Sequence, residues 1–196
     1  MENKEEKKIA ADIMNIVRKL GLPLKLDKIT EGRGNCFPLA VIAQCNRQEI
    51  YNELSWQHQA VIKKDCSLLL RQEVKKFMMN SATKIVKDFR CRYDEVVAPI
   101  DGNDWHQYWM KMSQNFEWVD STFVQGAAWY LNRDIIIITT SGREENPFIR
   151  ISGNHFNTDI ECNSTPLIIG CKSDVHYQSL LPMDDIMGKI MERVKN

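Results

Sequence analysis

The sequence predicts an α+β fold in which a helical first half feeds a small sheet. Apolar residues recur at helical spacing in successive segments as far as Leu131. From Asp134 the chain turns to short β-branched runs, the first with four consecutive isoleucines. No repeat, low-complexity tract or long linker interrupts the 196 residues, which suits one such domain.

Glu5–Leu20 sets Ile9, Ile13, Ile16, Val17 and Leu20 on one helical face, and Gly21 and Pro23 end it. Lys25–Ile29 is short and extended. Glu31–Asn35 is a polar glycine turn, and Phe37–Cys45 then reads as a helix with Phe37, Ala40, Val41 and Cys45 inward. Pro38 fits there, because a first helical turn has no partner for the N–H that proline lacks. Gln48–Leu54 and Lys64–Met79 follow as helices, the second with Leu68, Leu69, Val74 and Phe77 inward. Ala82–Phe89 reads as a further helix or a kinked extension. Pro99–Asn103 is a loop, Asp104–Met112 a tryptophan-rich helix, and Thr122–Leu131 a helix capped by Asp120 or Ser121. Asp134–Thr140 is a buried strand, Ser141–Pro147 a turn, Phe148–Ile151 a strand and Gly153–Asp159 a polar loop. Pro166–Cys171 and His176–Leu181 complete the sheet, and Asp184–Lys195 forms an amphipathic helix. The organisation is thus an N-terminal helical extension (1–24), a central domain (25–183) and a C-terminal helix (184–196).

Hydrophobic residues make up 43% and charged ones 27%, enough to bury a core. Lys+Arg and Asp+Glu both number 26, and this zero net charge argues against nucleic acid as the main partner. No apolar run approaches the roughly 20 residues of a membrane span, and the charged start, Met1–Lys8, does not read as a signal peptide. The 6 cysteines (36, 45, 66, 91, 162 and 171) stand singly without a Cys-x-x-Cys pair. That spacing disfavours structural zinc, and the chain length disfavours a disulfide scaffold, so the expected setting is a reducing cytosol and no metal.

Cys36 stands apart from the other thiols. Gly32 and Gly34 permit backbone geometries that aim N–H groups at the sulfur, and the helix that follows adds a partial positive charge. Arg33 adds positive potential. A thiolate is the reactive form, and these are the features that favour one. The alternative is a helix-start cysteine that simply packs. Four histidines are candidate bases. His58 lies in a polar segment, and His106 is explained by packing among Trp105, Tyr108 and Trp109. His155 sits in a loop and is the runner-up to His176, which opens the last strand beside Tyr177.

These residues resemble the ovarian-tumour (OTU) family of papain-like deubiquitinating cysteine proteases. A Gly-Asp-Gly-Asn-Cys-Phe-like segment carries that family's nucleophile, and a His-Tyr-x-x-hydrophobic strand its base. Here they read Gly32-Arg33-Gly34-Asn35-Cys36-Phe37 and His176-Tyr177-Gln178-Ser179-Leu180. Leu68–Val74 resembles the family helix after the nucleophile. Trp118, Val124–Leu131 and Asn132-Arg133-Asp134-Ile135-Ile136 resemble its tryptophan–helix–strand block. The likeness spans about residues 27–182.

The resemblance implies a papain-like OTU fold, with a small, mostly antiparallel sheet of five or so strands between helices. It also implies a thiol-dependent hydrolase acting after the C-terminal glycine of ubiquitin or polyubiquitin, with ubiquitin-like proteins as an extension. Cys36 and His176 would be catalytic, the backbone of Arg33, Gly34 and Asn35 would bind the oxyanion, and no cofactor is needed. The setting is the cytoplasm, or a host cytosol into which the protein is delivered.

Two positions depart from the family pattern. Arg33 stands where aspartate is common, and Gln178 stands where many members place Asn or Asp. Gln178 is the candidate to orient the imidazole through its amide oxygen. The second function reading is a catalytically weak or inactive OTU-like ubiquitin-binding module, and a third is a thiol acyltransferase or non-ubiquitin peptidase. Asp101, Asp104, Glu117 and Asp120 form a mildly acidic stretch, read first as a solvated helix rim and second as a channel for a basic tail. Trp105, Trp109 and Trp118 read as core before groove.

Overall fold

The computed structural model describes residues 4–27, 30, 34–47, 59–81, 85–86, 91–92, 104–143, 146–153, 165–173, 176–183 and 190–192. The chain runs α1 (Lys4–Lys19), β1 (Leu24–Leu26), α2 (Cys36–Arg47), α3 (Gln59–Ser81), β2 (Ile85–Val86), β3 (Cys91–Arg92) and α4 (Trp105–Met112). It continues through α5 (Ser121–Leu131), β4 (Ile135–Arg143), β5 (Asn146–Ile151), β6 (Leu167–Lys172) and β7 (His176–Pro182).

A five-stranded sheet in the order β1-β7-β6-β4-β5 forms the centre. The β4–β6 pair is parallel, and the β1–β7, β6–β7 and β4–β5 pairs are antiparallel. The isoleucine run of β4 shows why the strand is apolar throughout. Side chains alternate across a sheet, so Ile135 and Ile137 join one core with α2, α3, α4 and α5. Ile136 and Ile138 join a second core with Ile13 and Val17 of α1. Both faces are covered by helices, so neither can be polar. On the α1 face, Gly170 of β6 is what lets the helix sit close: a Cβ there would lie 2.3 Å from Ile13 Cγ2.

The expected α+β layout is present, with local corrections. Within Ala82–Phe89, expected as a further helix or a kinked extension, Ile85–Val86 is a strand paired with Cys91–Arg92. Two β-branched residues beyond the end of α3 favour extended backbone over continued helix. Ser141–Pro147 is not an open turn. β4 runs to Arg143, which pairs with Asn146 of β5. The inner stripe of α3 is also rotated from the expected one. Ser67, Leu70, Arg71, Val74 and Met78 are buried, while Leu68, Leu69 and Phe77 are half-exposed. An arginine can occupy a buried stripe because backbone carbonyls receive it, as the site shows below.

The helix expected over Gln48–Leu54, the loop at Pro99–Asn103 and most of Gly153–Asp159 lie outside the described residues. Of the C-terminal helix, residues 190–192 are described and helical, with Ile190 in the α1-side core. Among the described residues no helix is long and apolar enough to cross a membrane.

Candidate active site

The first residue of α2 is Cys36. Its thiol is reached by the backbone N–H groups of Tyr177, Phe37 and Cys36 itself. Tyr177 follows His176 on β7, so the strand carries the histidine to the start of the helix that carries the thiol. Phe37 and Tyr177 lock the two elements together, ring edge to ring face, with centroids 5.2 Å apart. Cys36 and His176 are both buried, at 2% and 4% exposure.

Burial dominates the electrostatics of both groups. It raises the Cys36 thiol above its ordinary pKa, against the pull of the three N–H groups and the charge of Arg71. It lowers His176, against the carboxylates of Glu6 and Glu5 in the first turn of α1 and the Thr30 backbone. Burial therefore favours the neutral thiol at Cys36 and the neutral imidazole at His176 in the free protein.

Gln178 lies two residues beyond His176 on the same side of β7 and is fully buried. Its Oε1 accepts from the Thr30 N–H at 2.9 Å, and its Nε2 lies 2.5 Å from His176 Nε2 and 3.4 Å from the Thr30 carbonyl. A backbone N–H can only donate, so Thr30 fixes which end of the amide is oxygen. The amino end faces the ring. The imidazole nitrogen at that contact is then the acceptor, and a neutral ring carries its proton on Nδ1. The glutamine was expected to orient the ring through its oxygen; here the oxygen is engaged by Thr30 and the ring meets the nitrogen. The Thr30 hydroxyl also donates to the Tyr177 carbonyl, fastening this segment to β7.

The turn before the nucleophile is set by its neighbours. Gly34 has a φ of +81°, and a Cβ there would stand 2.1 Å from the Phe116 carbonyl oxygen, so glycine is required twice over. The Asn35 side chain is a tie. Its Nδ2 donates to Asn115 Oδ1 at 2.6 Å, and its Oδ1 accepts from the Phe116 N–H at 3.1 Å. Arg33 lies outside the described residues. Beneath the turn, Arg71 donates to the Gly34, Met112 and Glu117 carbonyls and to Asn35 Oδ1.

Other expected residues take structural places. Asp104 and Asp120 cap α4 and α5, and Asp120 also accepts from the Tyr108 hydroxyl at 2.5 Å. Trp109 is core and Trp105 partly buried against it, whereas Trp118 and Phe116 are exposed on either side of Glu117. His106 is not packed among aromatics: its side chain is exposed while Tyr108 and Trp109 turn inward. Asp101, His58 and His155 lie outside the described residues. Among the described residues no group of three or more His, Cys, Asp or Glu could hold a metal ion.

Thr30, Arg71 and Asn115 escaped the sequence reading. Thr30 acts mainly through its backbone, which leaves no side-chain signature. Arg71 did leave one: it falls in the period of Ser67, Leu70, Val74 and Met78, a charge on an apolar stripe.

No protein-family model and no curated protein matches this sequence. Solved structures do match. The OTUD1 OTU domain aligns at 14% identity with a TM-score of 0.55, over 90% of this chain and 99% of that one. The h/ceOTUB1–ubiquitin aldehyde–UBCH5B~Ub structure aligns at 13% identity with a TM-score of 0.55, over 89% of this chain and 83% of that one. The fold is that of an OTU domain. In this OTU fold the start of α2 and the first residues of β7 meet on the face of the sheet opposite α1, where Phe37, Cys36 and Tyr177 share one core.

Proposed function

We propose that this chain is a cysteine-dependent deubiquitinase that hydrolyses the peptide or isopeptide bond after the C-terminal glycine of ubiquitin. The observation that supports it best is the meeting of a helix-start thiol with the histidine strand at β7. In this reading His176 takes the Cys36 proton and the thiolate attacks the glycine carbonyl. Backbone N–H groups of residues 33–36 receive the oxyanion. The tetrahedral adduct collapses, breaking the C–N bond, and His176 returns its proton to the departing lysine amine. Water then attacks the thioester, with His176 as base, releasing the ubiquitin carboxylate and the free thiol. Polyubiquitin and ubiquitin-like proteins are the substrate range, and a reducing cytosol keeps the thiol usable.

A second reading is an OTU-like ubiquitin-binding module with weak or no turnover. It is favoured by the Gln178 amino group at the ring and by burial, both of which oppose a thiolate–imidazolium pair. Ubiquitin bearing a C-terminal electrophile separates the two. We expect a covalent adduct with wild type and with Cys45→Ala, and none with Cys36→Ala. Wild type that binds ubiquitin yet stays unmodified would instead establish the binding module.

A further inference from the structure

Arg71 is fully buried in the middle of α3. Each of its four described acceptors is an uncharged oxygen: the Gly34 carbonyl at 2.7 Å, Glu117 carbonyl at 2.5 Å, Met112 carbonyl at 2.9 Å and Asn35 Oδ1 at 3.3 Å. Its guanidinium also lies 5.4 Å from the Phe123 ring centroid. A buried guanidinium with no carboxylate among its described acceptors is expensive, because it gives up its hydration without a contacting counter-charge. The position therefore asks for a reason beyond packing.

We infer that Arg71 is a positioning residue for the nucleophile, clamping the turn that precedes Cys36 and supplying positive charge beneath the thiol. The inference rests on the thiol-hydrolase reading of the site. Two facts carry it. The guanidinium holds the carbonyl of Gly34, and no cis peptide bond occurs among the described residues. Carbonyl and N–H point opposite ways across a trans peptide, so the Asn35 N–H is turned away from Arg71, and in the hydrolase reading it faces the oxyanion. The same fork holds the Glu117 carbonyl, and Phe116 between them adopts a φ of 66°, a left-handed conformation that a phenylalanine keeps only when neighbours enforce it. Arg71 thus joins the nucleophile turn to the facing loop as one rigid unit. Burial pulls its own pKa down to about 10, so it stays charged at neutral pH, and its charge opposes the burial penalty on Cys36.

The experiment compares full-length wild type, Arg71→Met, Arg71→Lys and Asn115→Ala, each checked for folding by circular dichroism. The pH dependence of Cys36 alkylation by iodoacetamide, read by peptide mass spectrometry, needs no ubiquitin. It therefore decides the charge role even if the hydrolase reading fails. Steady-state hydrolysis of a ubiquitin C-terminal fluorogenic amide supplies kcat and KM separately.

For Arg71→Met we expect alkylation at fixed neutral pH to slow about tenfold and kcat to fall about 100-fold with KM changed less than about threefold. Arg71→Lys keeps the alkylation profile near wild type, because the charge remains, yet loses about tenfold in kcat, because an ammonium cannot hold the carbonyls as a planar fork does. Asn115→Ala loosens the clamp from its half-exposed side without disturbing a buried charge, and lowers kcat about fivefold at constant KM. Folded Arg71 variants with a wild-type alkylation profile and wild-type kcat overturn the inference. So does Asn115→Ala with unchanged kcat if neither Arg71 variant folds, since Arg71 would then serve the scaffold alone.

Discussion

Gln178 is asked for two opposite things. Thr30 requires an oxygen from its amide and receives it, which presents an amino group to a ring that must become positively charged during turnover. The resemblance implied Gln178 as the partner of His176, from the position where many family members place Asn or Asp, and the two do touch. What pattern could not supply was the amide's direction, because that is set by the backbone of Thr30, far away in sequence and featureless as a motif. Two substitutions separate support from chemistry. Gln178→Ala leaves the buried Thr30 N–H unpaired, a cost of about 1–3 kcal/mol, and frees the ring, so we expect kcat to fall more than KM rises. Gln178→Glu keeps an oxygen for Thr30 and turns a second oxygen to the imidazole, which favours its protonated form. We expect Cys36 alkylation at neutral pH to quicken about tenfold, one pKa unit of added thiolate. Slower alkylation than wild type would show that the amide's direction does not govern the pair.

At the level of elements, α2 is the part on which the site depends, and a single polar side chain seats it. Gln44 is buried between β6 and β7. Its Oε1 accepts from the Ile168 N–H at 2.9 Å, and its Nε2 donates to the Ile168 carbonyl and to the Leu180 carbonyl, the latter at 3.2 Å. The helix thereby completes the hydrogen bonding of two strands it merely covers. α2, the isoleucine strand and the closing hairpin were legible in the sequence because each has a clean period and a clear stop. Gln44 was not, since glutamine on a helix is usually solvated. Nor was the β2–β3 pair, whose two-residue strands are too short for a period to show. Gln44→Leu keeps the volume and removes the bonds. We expect a loss of about 2–3 kcal/mol, read as a lower urea midpoint with an unchanged slope. We also expect weaker labelling by the ubiquitin electrophile, because α2 carries Cys36. An unaltered midpoint would mean that β6 and β7 close their own ladder when the side chain is withdrawn.

Across the whole molecule, the burial that holds the thiol and imidazole neutral also makes stability depend on pH on both sides of neutrality. His176 has its folded pKa lowered by burial. As pH drops below the ordinary histidine range, near 6.5, the unfolded chain takes up a proton that the folded chain refuses. Stability then falls until the folded pKa is reached. The thiols act in the opposite direction. Burial raises Cys36, and pushes Cys45 up to about 11. Between the ordinary thiol range near 9 and about 11 the unfolded chain releases protons that the folded chain keeps, so stability falls as pH rises. Arg71, lowered to about 10, adds the reverse slope above that value, which makes the interval from about 9 to 10 the one in which the thiols govern. We therefore expect a melting temperature that is flat between about 6.5 and 9 and declines on either side. His176→Gln should flatten the acid arm, and Cys45→Ala should make the interval from 9 to 10 shallower while Cys36 still contributes there, each leaving the other arm in place. An acid arm that persists unchanged in His176→Gln would mean that the imidazole is not held neutral by the fold. Burial would then not be what restrains the imidazole, and the case for a restrained base would lose its physical basis.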